Sequence, residues 1–317
     1  MRALITGITG FVGAHLAEEL HNQGYEVFGT TRKSCPNAMF ANSAIQIIPM
    51  NYNSEEDILE ILNKIKPHEI YHLAGQSSVK MSWENKVDTL ETNIILTVKL
   101  LEALRKSDVA DSAKLLMIGS SEEYGSIDNE NTPITEEAVL RPISPYGVSK
   151  ASTSLLFQQY VKVYGLKLLY ARPFNHIGPG QDIGFVTSDF AKQIVMIEKG
   201  IHLPNISVGN LEAQRDFTDV RDIVSAYTML VEKGQIGEIY NICSGKPHAI
   251  KYILTYLLDL SFNKNIQVKQ DENKMRPSEF PIYIGDSTKI QEHIGWETTY
   301  SIEKSLQDIL NYWRIMI

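Results

Sequence analysis

Tyr146 and Lys150 stand four residues apart in SPYGVSK, so on a helix both side chains lie on one face. An ammonium beside a phenol can bring the phenol pKa down from about 10 toward the working range, making Tyr146 a usable proton donor and acceptor. Twenty-six residues upstream, IGSSEEYG places Ser120 at an expected strand end, suited to hydrogen-bond a carbonyl or hydroxyl oxygen. A lone Tyr-x-x-x-Lys pair is also what an ordinary helix surface presents; with Ser120 it becomes a candidate proton-transfer site. A third element is the N-terminal string GITGFVG, whose glycines 7, 10 and 13 directly follow a short apolar run. Gly7 suits a tight turn, Gly10 lets backbone approach a pyrophosphate, and Gly13 lets the next helix pack closely. Around Phe11 and Val12 that helix begins, offering N–H donors and its positive dipole end to phosphates. No Lys–Ser/Thr follows the last glycine, so this is a dinucleotide site rather than a mononucleotide P-loop.

Short apolar runs alternate with longer amphipathic stretches, the pattern of βαβ units around a parallel sheet. Strands are expected at 3–6, 26–29, 45–48, 69–73, 114–118, 167–171 and 238–242, and helices at 12–22, 55–64, 87–106 and 146–164. Stretches 178–184 and 269–281, rich in Gly, Pro and charge, read as loops over a cleft. The expected architecture is α/β: a Rossmann-type doubly wound parallel sheet with a smaller C-terminal lobe. Residues 1–174 would form the nucleotide-binding domain, rejoined by the strand near 238–242. Residues 175–317 would mainly form the substrate lobe. The second strand ends in Gly29-Thr30-Thr31-Arg32-Lys33, without the carboxylate that usually accepts from an NAD ribose. Arg32 can instead pair with a 2′-phosphate, so NADP(H) is expected, with NAD(H) as the alternative if Arg32 is only a solvated loop charge.

The 317 residues suffice for a substantial core without disulfide or metal staples. A net charge of −8 argues against general nucleic-acid binding, so a phosphorylated ligand must be held by a few placed arginines. Cys35 and Cys243 form neither a disulfide framework nor a metal motif, and no His spacing suggests a metal site. No apolar run is long enough to span a membrane, and the N-terminus does not read as a signal peptide; a soluble, cytoplasmic protein is expected.

The glycine motif, HLAGQSSV at 72–79, Ser120, the Tyr146/Lys150 pair and RPFNHIGPG at 172–180 occur here in the order found in extended short-chain dehydrogenase/reductases, which this chain resembles across nearly its whole length. The resemblance implies action on a nucleotide sugar. Tyr146 would be the general acid/base, Ser120 the oxygen-binding residue, and Lys150 the group holding the nicotinamide ribose and tuning Tyr146. It also implies cofactor contacts from Leu73, Ala74 and Pro173, and substrate contact from Ser77 and Ser78.

GFVTSDFAKQI at 184–194, GNLEAQRDFTDVRDI at 209–223 and MRPSEF at 275–280 resemble the GDP-mannose branch of that family. That similarity implies Asn175 and Val186 on the sugar or diphosphate, Arg215 on the diphosphate, and Arg276 with Glu279 on the GDP portion. Guanidinium forks suit a diphosphate in an acidic protein; pairing of Arg215 with Asp216 or Asp219, and solvation of Arg276, are the alternatives. The branch contains a 4,6-dehydratase and a 4-keto reductase. Glu122 stands where the dehydratase keeps its extra carboxylate. However, Ser120 replaces that enzyme's Thr, Glu123 takes a place usually apolar, the arginine-rich loop shrinks to Arg32-Lys33-Ser34, and Asp189 replaces an expected Lys. As whole strings, GSSEEYG and NHIGPGQ look most like the reductase. The expected reaction is therefore hydride reduction at C4 of GDP-4-keto-6-deoxy-D-mannose, giving GDP-D-rhamnose. GDP-6-deoxy-D-talose is the alternative if the opposite sugar face is presented; a dehydratase or another nucleotide-sugar epimerase is the competing enzyme, and an NADP(H)-sensing regulator the non-enzymatic one.

His72 reads as a packed residue, His176 as structural or sugar-contacting, and Asp219 and Asp222 as helix-start residues. The helix around Val87, Leu90, Ile94, Val98 and Leu101 and the one carrying Tyr146 are broadly apolar. The resemblance implies that they pair in a four-helix homodimer interface, with burial against the chain's own sheet as the alternative.

Overall fold

The computed structural model describes residues 1–32, 44–127, 132–274 and 281–317. The first half runs β1 (Arg2–Thr6), α1 (Phe11–Asn22), β2 (Glu26–Thr31), β3 (Gln46–Pro49), α2 (Glu55–Ile65), β4 (Glu69–His72), α3 (Val79–Glu84), α4 (Lys86–Leu90), a π-helical turn over Glu91–Ile95, α5 (Leu96–Lys106), β5 (Lys114–Ile118), a 3₁₀ turn over Ser121–Glu123, α6 (Pro145–Tyr164) and β6 (Leu168–Pro173). The second half runs β7 (Asn175–Ile177), α7 (Val186–Glu198), β8 (Asn205–Val208), β9 (Gln214–Asp219), α8 (Val220–Lys233), β10 (Ile239–Ile242), β11 (Pro247–Ala249), α9 (Ile250–Asp259), β12 (Gln267–Gln270), β13 (Ile282–Tyr283), α10 (Thr288–Ile294) and α11 (Ile302–Met316).

Among the described residues seven strands form one parallel sheet in the order β10-β6-β5-β4-β1-β2-β3. This is a Rossmann arrangement with its order reversing at β1 and β4, where ligands sit at the carboxyl ends of the strands. Its strands are apolar on both faces because both are covered. Ala3 and Ile5 of β1 pack with Leu16 and Leu20 of α1 and Tyr227 and Leu230 of α8, while Leu4 points oppositely into Ile58 and Leu62 of α2, Leu100 of α5 and Phe157 of α6. β10 pairs in parallel with β6, so a strand from late in the chain completes the large sheet.

A second core joins Phe190 and Ile194 of α7, Ile253 and Leu257 of α9, and Leu306 and Leu310 of α11 around Ile206 and Val208 of β8. Beside it β9 pairs with β7, β11 and β13, bringing the second half of the chain against the carboxyl ends of the large sheet.

Two expectations change. The stretch expected as a loop from residue 269 instead begins inside β12, which pairs in parallel with β8. β12 is a short, fully exposed edge segment of sequence QVKQ, with no apolar alternation to reveal it. The helix expected over 87–106 is helical throughout, yet its middle turn is π rather than α. The extra residue of that turn changes which side chains face α6.

Candidate active site

The start of α6 is set locally. The Ser144 side chain caps it by accepting from the Gly147 N–H at 3.0 Å, and Pro145 occupies its first turn. Tyr146 and Lys150 therefore emerge one turn apart on the face turned toward β5. At Gly147, a Cβ would lie 2.5 Å from the Glu122 carbonyl oxygen, so glycine lets α6 press against the 3₁₀ turn that follows Ser120. That approach brings the Tyr146 and Ser120 side chains into hydrogen-bonding contact. Ser120 Oγ also accepts from the Glu122 N–H at 3.2 Å. Lys150 Nζ donates to the Ile118 carbonyl at 2.7 Å and sits 5.9 Å from the Tyr146 ring centroid.

Burial raises the Tyr146 pKa above its ordinary value, the Ser120 hydrogen bond opposes this, and the charges of Glu122 and Glu123 add to the rise. Tyr146 is thus a neutral phenol across the physiological range. Burial pulls Lys150 down to about 8, with Glu123 acting in the opposite direction. The expected lowering of the Tyr146 pKa by Lys150 is not what this structure contains: the amine is turned to the Ile118 carbonyl, and desolvation of the phenol dominates.

The glycine-rich turn forms a cradle. Gly7 has φ +72°, and a Cβ there would lie 2.9 Å from the Ala74 backbone; at Gly13 it would lie 2.5 Å from the Gly7 carbonyl oxygen and 2.8 Å from Ile8 Cα. Gly10 is the N-cap residue of α1 and supplies no side-chain cap, so the donors of the first turn around Phe11 and Val12 face the cradle without a competing side chain. Leu73 and Ala74 close its other wall: their N–H groups donate to Thr6 O at 3.2 Å and Thr6 Oγ1 at 3.1 Å. Beyond it a cavity of about 770 Å³ is lined by Arg32, Tyr52, Asp88, Glu91 and Lys99, among others. Its size and the bare backbone of the cradle fit a dinucleotide, and Arg32 stands at the end of β2, exposed, where a ribose phosphate would be met. Pro173, buried at the end of β6, lies on the far side of Ser120.

The proposed substrate residues are less gathered. Ser77 is exposed after β4, Asn175 is exposed at the start of β7, and Val186 opens α7. Arg215 lies on β9 in register with Tyr283 and His248, its Nη1 donating to the Gln214 carbonyl at 2.8 Å. Asp216 accepts from the Ser244 N–H and hydroxyl and the Gly245 and Gly285 N–H groups, and Asp219 pairs with Arg221 at 2.8 Å. Glu122 is half-buried 3.5 Å from Ser144 Oγ, and its charge bears on both Tyr146 and Tyr283. Arg276 and Glu279 lie outside the described residues, as do Lys33, Ser34 and Cys35.

His72 is a packed residue: buried, hydrogen-bonded to Thr6 and Thr97, and held neutral with its pKa pulled down to about 3, by burial first and by Lys150 second. His176 bonds the Phe174 carbonyl and stacks on Phe11. Asp219 caps α8 and Asp222 lies in its first turn, as their positions suggested; Asp222 also ties α8 to the Thr299 and Tyr300 N–H groups.

Two residues escaped the sequence reading. Asn93, in the π turn, bonds both the N–H and C=O of Gln76 and reaches Ser149 Oγ at 2.8 Å, locking the loop after β4 to α6. As a lone buried amide in an apolar helix it was detectable. Tyr283 donates to the Ser121 carbonyl at 2.8 Å, joining the second half of the chain to the 3₁₀ turn after Ser120; nothing local marks it. Glu123, which the sequence places where relatives are usually apolar, is buried beneath Ser120.

The family model described as GDP-mannose 4,6 dehydratase matches residues 4–309. GDP-6-deoxy-D-mannose reductase of Pseudomonas aeruginosa is 34% identical over 98% of this chain and 97% of its own length. GDP-mannose 4,6 dehydratase of Homo sapiens is 28% identical over 98% of this chain and 90% of its own. Among solved structures, RMD from Pseudomonas aeruginosa complexed with NADPH superposes with a TM-score of 0.85 at 31% identity, covering 100% of this chain and 99% of that one. With the glycine cradle and the Ser120, Tyr146 and Lys150 cluster already placed on a Rossmann sheet, this full-length match assigns the chain to the GDP-mannose 4,6 dehydratase family of extended short-chain dehydrogenase/reductases.

Proposed function

We propose that the protein is an NAD(P)H-dependent reductase that converts the C4 keto group of GDP-4-keto-6-deoxy-D-mannose to the alcohol of GDP-D-rhamnose (GDP-6-deoxy-D-mannose). The observation that carries the reading is the buried, neutral Tyr146 phenol in contact with Ser120, a proton donor ready for a carbonyl oxygen. Similarity to the Pseudomonas reductase along both full lengths supports it. Gly7, Gly10, Phe11, Val12, Gly13, Leu73, Ala74, Pro173 and Arg32 would hold the cofactor, which when bound supplies the hydride. The chain does the rest. Ser120 holds the C4 oxygen by a hydrogen bond that strengthens as negative charge develops, and Tyr146 gives that oxygen its proton. Lys150, on the same helix face, offsets the phenolate left behind. Ser77, Asn175, Val186 and Arg215 would position the sugar and diphosphate, and Arg276 with Glu279 the GDP portion. Residues 1–174 with β10 would serve the cofactor and the remainder mainly the nucleotide sugar.

Purified protein given NADPH and the 4-keto sugar should consume both. With GDP-mannose alone it should do nothing; keto-sugar formation there, without net cofactor consumption, would overturn the reading in favour of a dehydratase. That second reading is favoured by one observation, the Glu122 carboxylate acting on Tyr146. Ketoreduction removes no C5 proton, so Glu122→Gln is expected to keep reductase activity within roughly tenfold of wild type, well short of a lost acid/base. A near-total loss of reduction would refute this assignment.

The pH profile follows Lys150. A lowered amine pKa means that the charge is present below about 8 and lost as pH rises through it. Tyr146 stays protonated over the same interval, so reduction is expected to hold steady at neutral pH and decline through about 8. Initial rates across pH 6 to 10 with saturating substrates would show the limb, and a rate that climbs through 8 contradicts it.

The reading also takes the enzyme to be a cytoplasmic homodimer. No helix among the described residues is long and apolar enough to cross a membrane. Val87 at 69%, Ile95 at 49%, Val148 at 43% and Leu155 at 64% exposure leave apolar side chains of the 86–106 helical run and α6 bare to solvent. Pairing of these helices with those of a second copy would cover them. Light scattering should give twice the mass of the chain, and Leu155→Glu should shift it toward the monomer.

A further inference from the structure

We propose that Glu123 is a positioning residue for the reaction, a buried carboxylate that holds the Ser120 backbone and ties it to the helix carrying Tyr146 and Lys150. This rests on the reductase reading for its kinetic consequences, but not for its geometry. The carboxylate is fully buried beneath the catalytic surface. Its Oε1 accepts from the Ser120 N–H at 2.9 Å and from the Tyr170 hydroxyl at 2.8 Å; its Oε2 accepts from Arg172 Nε at 2.8 Å. Tyr170 Oη in turn lies 3.0 Å from the Lys150 carbonyl oxygen and 2.9 Å from Thr153 Oγ1, and Arg172 donates to Ser154 Oγ at 2.9 Å and Tyr124 Oη at 3.1 Å. One carboxylate therefore ties the strand end that carries Ser120 to the helix that carries Tyr146 and Lys150, through partners on β6.

The chain is built around it. At Gly119 a Cβ would stand 2.2 Å from Glu123 Oε1 and 2.3 Å from Tyr170 Cε1, so the residue before Ser120 has no room for a side chain while the carboxylate is in place. Facing Lys150 are the Ile118 carbonyl from β5, the neutral His72 ring from β4, the neutral Tyr146 ring from its own helix, and Glu123 from the 3₁₀ turn. Of these groups Glu123 carries the formal charge, and it opposes the desolvation that pulls the amine down. A buried ion pair is weak evidence of stabilisation, since an apolar pair of similar volume often serves as well. Its retention under a catalytic serine and lysine points to a role in placing them.

The test reads Lys150 directly. In protein carrying isotope-labelled lysine and no substrate, the Nζ signal of Lys150 should titrate near 8 in wild type. In Glu123→Gln it should titrate roughly one unit lower or more, as expected for loss of a nearby opposite charge. Because the single change leaves Arg172 buried without its counter-charge, the companion variant is Glu123→Gln with Arg172→Gln, in which two amides can pair. In Glu123→Gln the alkaline limb of reduction should move down by the same interval, with kcat at pH 8 falling roughly fivefold and KM nearly unchanged; the double variant, which also loses the Arg172 charge, should move it in the same direction by less. Glu123→Asp, which keeps the charge but shortens its reach, should hold the limb near wild type while kcat falls. A folded amide variant whose Lys150 titration and limb coincide with wild type overturns the proposal. Should neither amide variant fold, Glu123→Asp decides: a kcat at the wild-type level, with the carboxylate drawn back from the Ser120 N–H, overturns it as well. The titration needs no sugar, so failure of the substrate assignment leaves this result readable on its own.

Discussion

Tyr146→Phe should lower ketoreduction by roughly 10²–10⁴-fold, the range for losing a positioned general acid, while NADPH affinity stays as in wild type. The change removes one hydroxyl from a ring that is otherwise packed, so the fold has little reason to respond. What disappears is the proton for the C4 oxygen and the partner of the Ser120 hydroxyl. Water cannot readily substitute, because the phenol is 8% exposed and wedged between the 3₁₀ turn and the helix that bears it. The loss should lie in kcat with little change in KM, since the interaction develops mainly in the transition state. Steady-state kinetics with the 4-keto sugar, alongside cofactor titration by fluorescence, separate the two effects. A variant retaining a tenth or more of wild-type kcat would show that another group delivers the proton, with Glu122 the first to examine.

Gly13→Ala is the second large effect, and it acts through the backbone rather than through chemistry. The added methyl would sit 2.5 Å from the Gly7 carbonyl oxygen and 2.8 Å from Ile8 Cα, both main-chain atoms that cannot swing aside. Either α1 retreats or the turn distorts, and in both cases the uncapped first turn of α1 no longer faces the cradle at its native distance. NADPH binding is expected to weaken by at least tenfold, which is about 1.4 kcal/mol. Overpacking of this kind also costs roughly 1–3 kcal/mol of stability. Gly24→Ala is the matched control. Gly24, just past the other end of α1, has φ +83° and no atom within 4 Å of its would-be Cβ. It should lose roughly 1–2 kcal/mol from the left-handed backbone alone and keep its cofactor affinity. Equal NADPH affinity in Gly13→Ala and wild type would mean that the cradle does not depend on close packing here.

Much of this site was readable from residue order because its parts are local. A strand, a glycine turn and a helix start are specified by neighbours in the chain, so residues 7–13 announced themselves. The spacing of Tyr146 and Lys150 fixes their shared helix face for the same reason. The βαβ alternation likewise announced the parallel sheet.

What local pattern could not decide was where side chains turn once burial and long-range pairing act on them. Spacing puts Lys150 within reach of Tyr146, yet the packed structure sends the amine to the Ile118 carbonyl and lets desolvation, not the ammonium, set the phenol's proton affinity. The sequence shows Glu123 as a charge where relatives are usually apolar, but not its partner: a 3₁₀ turn points it inward to Arg172, 49 residues away. Tyr283 meets Ser121 across 162 residues, and β12 exists through its pairing with β8. Hydrogen-bond geometry and desolvation depend on what the rest of the chain brings alongside, and a string of residue types carries no record of that.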